Sequence, residues 1–159
     1  MTNIKTSALF ATLALTALAS VTAAQGSAGT PQVLPAITLH AGMHNIRAAV
    51  ALTDEQWQTG LMFRREMAQH EGMLFVSDQR APRCFWMKNT LLPLSVAFIA
   101  DDGTVVNVVD MQPQSLDSHC SSKPVRFVLE MNQGWFAKRG IKAGSKIAGA
   151  PFAAAPAPR

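Results

Sequence analysis

The sequence predicts a mainly β fold, a small β-sandwich or partly open barrel of about eight short strands with two short helices. Three observations point to it. Apolar residues alternate with polar ones over short runs, which is the period of a strand with one buried face. Turn-forming residues punctuate those runs, most clearly Asp101-Asp102-Gly103 between LSVAFIA and VVNVVDM, a β-hairpin signature. The 159 residues are 48% hydrophobic and 15% charged, enough to bury one real core in one compact domain.

The N-terminus reads as an address. Lys5, the apolar run ALFATLALTALA and the small-residue stretch SVTAAQG have the order of an export signal, residues 1–24, with cleavage after Ala23 or Ala24. The apolar run is too short and too rich in alanine to span a membrane comfortably. A periplasmic or secreted protein is expected, with no stable membrane span once the signal is removed. Residues 25–35, small and polar with Pro31 and Pro35, are expected to form a flexible lead.

The domain itself is expected over residues 36–148. AITLHA and NIRAAVAL read as two strands joined by a turn at Gly42 to Asn45. Thr53 is the natural N-cap of a helix, and Gln56 at N3 allows a reciprocal capping box. Asp54 and Glu55 suit the positive end of the helix dipole. This helix is expected to end in GLMFRREMAQHEGM, with Gly72 as the stop before the strand MLFV. In CFWMK, alternation sets Phe85 and Met87 on one face and Cys84, Trp86 and Lys88 on the other. LSVAFIA is apolar on both faces, so it is expected inside the sheet.

The polar stretch QPQSLDSHCSSKP is too long for a tight turn and reads as a loop crossing an open end of the sheet. RFVLEM turns Phe127, Leu129 and Met131 one way, and Val128 and Glu130 the other. Asn132 is placed to cap a short second helix, GWFAKR, which Gly140 ends. SKIAG reads as a last strand. Residues 149–159, prolines among alanines, read as a disordered tail.

Export changes the reading of Cys84 and Cys120. Two cysteines in an oxidising compartment favour a disulfide. The alternative, two thiols that never meet, stays open, because spacing alone does not bring two Cα atoms within bonding range. A nucleophilic pair of Cys120 with His119 is disfavoured, since neighbours in a strand point to opposite faces.

Several function classes lack their signatures. The formal net charge is +4, and the basic residues are scattered, with Arg64-Arg65 and Lys138-Arg139 the only doublets. Nucleic-acid binding calls for a basic stripe, so no nucleic-acid partner is expected. The methionines sit inside hydrophobic motifs, where thioethers fill core gaps, and the histidines lack ligand spacing, so no metal and no cofactor is expected. No nucleophile elbow, zinc-helix motif or phosphate-cradling glycine loop is present.

A series of short motifs runs through the domain: Gly60-Leu61-Met62 with Arg64, Gly72 to Phe75, Phe85 to Thr90, and Pro93-Leu94. Next come Asp102-Gly103, Met111 with Pro113, Ser121 or Ser122 before Pro124, Val128-Leu129-Glu130, and Gly140-Ile141. These motifs and their order resemble the family known as domain of unknown function 192 (DUF192). The resemblance implies a compact β fold, often exported, with no established activity or cofactor. Ser95 stands where the family pattern has aspartate after Pro-Leu, which puts in doubt any mechanism resting on that carboxylate.

Lys88-Asn89-Thr90 is the polar cluster that interrupts the apolar core. Its plain reading is a tight bend in which Asn89 bonds its own backbone. Its functional reading is a ligand-binding cleft formed by Arg64, Trp86, Lys88, Asn89 and Glu130: an aromatic wall with a few fixed polar groups. Glu130 reads equally as a structural ion-pair partner of Arg64 or Lys88. The function expected first is therefore an exported small-ligand binding or accessory module of the cell envelope, its partner a small molecule or an envelope component. The alternatives are a hydrolase using Glu130 and Lys88, or a purely structural domain.

Overall fold

The computed structural model describes residues 29–152, so the stretch read as an export signal, residues 25–28 of the lead and residues 153–159 of the tail lie outside the described residues. The fold is mainly β. Its strands are β1 (Ala36–Ala41), β2 (His44–Ala51), β3 (Glu71–Ala81), β4 (Cys84–Phe85), β5 (Leu94–Ile99), β6 (Val105–Met111), β7 (His119–Cys120) and β8 (Val125–Asn132). One six-residue helix, α1 (Asp54–Thr59), joins β2 to β3. Six strands form an open mixed sheet in the order β1-β2-β3-β8-β5-β6, and β4 pairs with β7 in a separate ribbon. Among the described strands only β2 and β3 pair parallel; they are the pair joined by a helical crossover, which a parallel pair requires.

The sheet buries both faces. On one, Leu39, Ile46, Leu74, Ala97, Leu129 and Met131 are covered by Trp135, Phe136, Ile141 and Ile147 from the chain after β8. On the other, Met73, Phe75, Val96, Phe98 and Val128 are covered by Leu61, Trp57, Phe85 and Met87. This accounts for the two apolar faces of β5, where every residue is buried. Each large apolar side chain so enclosed contributes about 1.5–3 kcal/mol. The predicted alternation of β8 holds as well: Phe127, Leu129 and Met131 lie in the first cluster, Val128 in the second.

The capping box forms as read. The Gln56 amide donates to Thr53 Oγ1 at 3.3 Å, and the Thr53 amide donates to Gln56 Oε1 at 3.2 Å. The helix is shorter than expected. Gly60 ends it with φ 46° and ψ −131°, donating its amide to the Gln56 carbonyl. Gly72 is not a helix stop but lies buried within β3, where a Cβ would come within 2.4 Å of the Glu130 carbonyl oxygen and of Met131 Sδ. Its lack of a side chain is what lets β8 approach.

The second helix is reduced to a 3-10 turn, Ala137–Arg139, without a side-chain cap. Asn132 is the last residue of β8 instead, and its Nδ2 donates to the carbonyls of Met67 and Ala68. SKIAG makes two isolated bridges, Thr104 with Lys146 and His40 with Ala148, rather than a strand. Phe152, in the stretch read as tail, packs edge-on against Phe127 at 5.0 Å. In the lead, Gln32 Nε2 donates to the carbonyls of Gln56 and Gly60, and the Pro35 carbonyl accepts from the Val50 amide.

Of CFWMK only Cys84 and Phe85 are in a strand, yet the predicted faces survive. Met87 is fully buried, while Cys84, Trp86 and Lys88 are exposed. Cys84 and Cys120 sit directly opposite each other in the β4–β7 ribbon, with Cα atoms 4.0 Å apart, and form a disulfide. The bridge falls in the long polar loop, whose second anchor is Asn107 of β6: its Nδ2 donates to the Cys120 carbonyl and its Oδ1 accepts from the Ser122 amide.

Candidate functional site

The polar cluster after β4 makes a bend, as its plain reading requires, with the Thr90 amide donating to the Met87 carbonyl at 3.0 Å. Asn89 does not bond its own backbone through its side chain, however. Its Nδ2 points across to Met62 Sδ at 3.9 Å. Its carbonyl accepts from the Phe63 amide at 2.9 Å, and both residues are left-handed, Asn89 at φ 55° and Phe63 at φ 65°. Asparagine tolerates that region, but phenylalanine there stores strain that surrounding structure must hold. Two depressions lie near the Phe63–Asn89 clasp, the groove lined by Phe63 and Leu91, the other by Met62 and Thr90.

The larger is a groove of about 640 Å³ between the lead, the start of β3 and the chain after α1; Gln32, Leu34, Phe63, Arg64, Arg65 and Leu91 are among its walls. That size suits a small organic ligand. Arg47 also lines it but is paired with Glu71 at 3.0 Å. Arg64 has no acidic partner among the described residues. Its Nη2 donates to the Gln32 carbonyl at 3.4 Å, and its Nε is buried with no partner among the described residues. A guanidinium carries five N–H donors in a fork matched to carboxylate or phosphate. Most of Arg64's capacity is unused.

The smaller depression holds about 30 Å³. Glu130, only 4% exposed, is at its base, and Trp57, Phe75, Phe85, Trp86 and Thr90 stand around it. The aromatic rings lock edge to face, Phe75 with Trp57 at 5.4 Å and with Phe85 at 4.8 Å. Glu130 projects from the interior strand β8, beneath α1 and the chain after β4. Its side chain makes no hydrogen bond or ion pair among the described residues. Burial alone pushes its carboxyl up to about 8, so it holds its proton at neutral pH.

The five residues read as one cleft are therefore divided. Trp86 and Glu130 share the small cavity, Arg64 belongs to the groove, and Asn89 lines neither, its carbonyl bonded to the Phe63 amide. Lys88 lines neither; it is exposed, with Nζ 5.4 Å over the Trp86 ring. Neither Arg64 nor Lys88 pairs with Glu130, which removes the structural ion pair considered for it. The hydrolase reading rested on Glu130 acting with Lys88, and these two groups do not converge on one cavity. Sequence reasoning missed Gln32, Phe63 and Leu91 in the groove. Gln32 sits in a segment with no periodicity, and only the fold brings it to Arg64.

Comparison with known proteins agrees on the family and is silent on activity. The profile of DUF192, an uncharacterised ACR family, matches residues 36–149. Among curated proteins none is significantly similar. A crystal structure of a protein of unknown function from Novosphingobium aromaticivorans superimposes with a TM-score of 0.70 at 32% identity, over 77% of this chain and 94% of that one. A protein from Sinorhizobium meliloti, described as a candidate transcription regulator, gives 0.67 at 38% identity, over 71% of this chain and 91% of that one. With the profile covering nearly all the described residues and two solved relatives sharing the fold, the chain belongs to the DUF192 family.

Proposed function

We propose that this chain is an exported small-ligand binding module of the cell envelope, and that the groove at Arg64 receives a small anion with an apolar body. The single observation that carries the reading is the state of Arg64. Its guanidinium lies against a groove of ligand size, with a buried Nε and no carboxylate partner among the described residues. Phe63, Leu34 and Leu91 supply apolar wall beside the cation. A carboxylate or phosphate on a short hydrocarbon chain satisfies both halves of such a site.

Export is part of the proposal and rests on the N-terminal pattern of Lys5, apolar run and small residues, with the Cys84–Cys120 bridge as weaker support. Protein isolated from its native host should begin at Ala24 or Gln25. A regulator of transcription is not favoured for this chain, because its basic residues form no stripe and Arg47, Arg80 and Lys146 are each paired with an acid.

The test is calorimetric titration of the protein with hexanoate, benzoate and phenyl phosphate. At least one should bind, and Arg64→Ala should weaken it about tenfold or more, the scale of a lost charge-assisted hydrogen bond. Arg64→Lys should recover only part of that, because an ammonium lacks the fork. Equal binding by Arg64→Ala, or no binding of any of the three anions, would refute the groove as an anion site.

A further inference from the structure

We propose that the cavity beneath Trp86 is a second binding site, specific for a primary alkylammonium group, with Glu130 as the anion at its base. The site is separate from the Arg64 groove and stands whether or not that groove binds an anion.

Size, charge and wall chemistry agree on this ligand class. A space of about 30 Å³ holds one water-sized group. An ammonium head is of that size, whereas a carboxylate, a phosphate or a ring is not. Among the described residues Glu130 is the only ionisable side chain lining the cavity, and the other lining elements, α1, β3, β4 and the chain that follows α1 and β4, contribute no charge there. An unpaired carboxyl this deeply buried lacks the counter-charge that would let it ionise. The surrounding rings present π-faces that attract cations. Two of them already do so with the chain's own side chains: Arg83 lies 5.2 Å over Trp57, and Lys88 lies 5.4 Å over Trp86. Thr90 Oγ1 donates to the Lys88 carbonyl at 3.2 Å, which leaves its oxygen free to accept an N–H from the ligand. Two of the lining residues, Gln58 and Trp86, are exposed, so the cavity has a solvent-facing side from which an alkyl chain can trail.

The proton balance is explicit. In the free protein Glu130 is neutral at pH 7 because burial holds it at about 8. When the ammonium enters, Glu130 gives its proton to solvent, and a carboxylate–ammonium pair replaces the neutral acid. Binding therefore releases a proton below pH 8, and the apparent affinity rises about tenfold per pH unit up to that value and levels off above it.

The full-length protein should be titrated calorimetrically with n-butylamine and with Nα-acetyl-lysine methylamide from pH 6 to pH 9, in two buffers of different ionisation heat. Butan-1-ol serves as the neutral isostere. The expected result is binding of an amine but not of the alcohol, one proton released near neutrality, and affinity rising to a plateau. Binding of n-butylamine alone assigns the site to free amines, and binding of the lysine derivative assigns it to lysyl side chains. Glu130→Gln, which replaces a neutral acid by a neutral amide of the same shape, should keep the fold and lose both the affinity and its pH dependence. Equal binding of the alcohol, unchanged amine binding by Glu130→Gln, or no amine binding at any pH would each overturn the proposal.

Discussion

Ser95 and Asp110 face each other across β5 and β6, and the fully buried Ser95 hydroxyl donates to the Asp110 carboxylate. The same hydroxyl oxygen accepts from the Gly134 amide at 2.8 Å, tying the chain that leaves β8 to the middle of the sheet. The resemblance to the family implies aspartate at this position, after Pro-Leu, where this chain has Ser95. The carboxylate is not lost from the neighbourhood; Asp110 brings one in from the adjacent strand.

Ser95→Ala should therefore be costly for a serine. It leaves the part-buried Gly134 amide without its acceptor and Asp110 without its donor, a loss of about 1–3 kcal/mol. Urea unfolding of the variant measures it. A change within about 0.5 kcal/mol, the range of an ordinary surface substitution, would show that the bridge carries no stability.

Glu130 makes stability depend on pH with a definite sign. Its folded value of about 8 lies above the ordinary 4.5, so the folded state holds the proton more tightly. The resulting stability is fully present below pH 4.5, falls as the pH rises, and is gone above pH 8. The slope inside that window is about 1.4 kcal/mol per unit for one proton. Denaturant melts of the wild type and Glu130→Gln across the window should diverge by a few kcal/mol, with the glutamine variant flat by comparison. Parallel curves would place the Glu130 carboxyl in contact with water.

The disulfide closes a separation of 36 residues. In the loop-entropy account that is worth about 3–4 kcal/mol. Replacing both cysteines by serine should lower the urea midpoint accordingly, and alkylation of the unreduced protein should leave both sulfurs untouched. Alkylation of two thiols on freshly prepared protein would contradict the bridge.

Lys88→Ala should cost at most about 1 kcal/mol, the scale of an exposed cation–π contact with Trp86. The side chain is exposed and has no acidic partner among the described residues. A loss of several kcal/mol in a denaturant melt would mean that Lys88 neutralises a buried charge after all.

What the sequence reveals and what it conceals divide along physical lines. The faces of β8, the interior position of β5, the capping box at Thr53 and the hairpin at Asp101–Gly103 all depend on neighbours a few residues away, and periodicity or turn chemistry exposes them. The exit from α1 does not. The sequence reading places the stop at Gly72, but Gly60 ends the helix, and the close approach of β8 needs Gly72 inside β3. The division of the predicted cleft is concealed for the same reason. Phenylalanine has no preference for positive φ, so the turn at Phe63 that sends Arg64 away from Trp86 is imposed by the Asn89 carbonyl, a partner distant in the chain.

The strand order has a consequence for how the protein is made. β8 is the last strand in the chain, yet it sits between β3 and β5 and supplies the pairing for both. A nascent chain that has emerged only as far as Lys123 holds one three-stranded piece and one hairpin, each with an open edge and no link through the sheet. The sheet closes only when residues 125–132 arrive, so folding is a late event in synthesis. Until then the open edges of β3 and β5 are competent to pair with other chains, and a holding chaperone that binds extended segments has that interval in which to act.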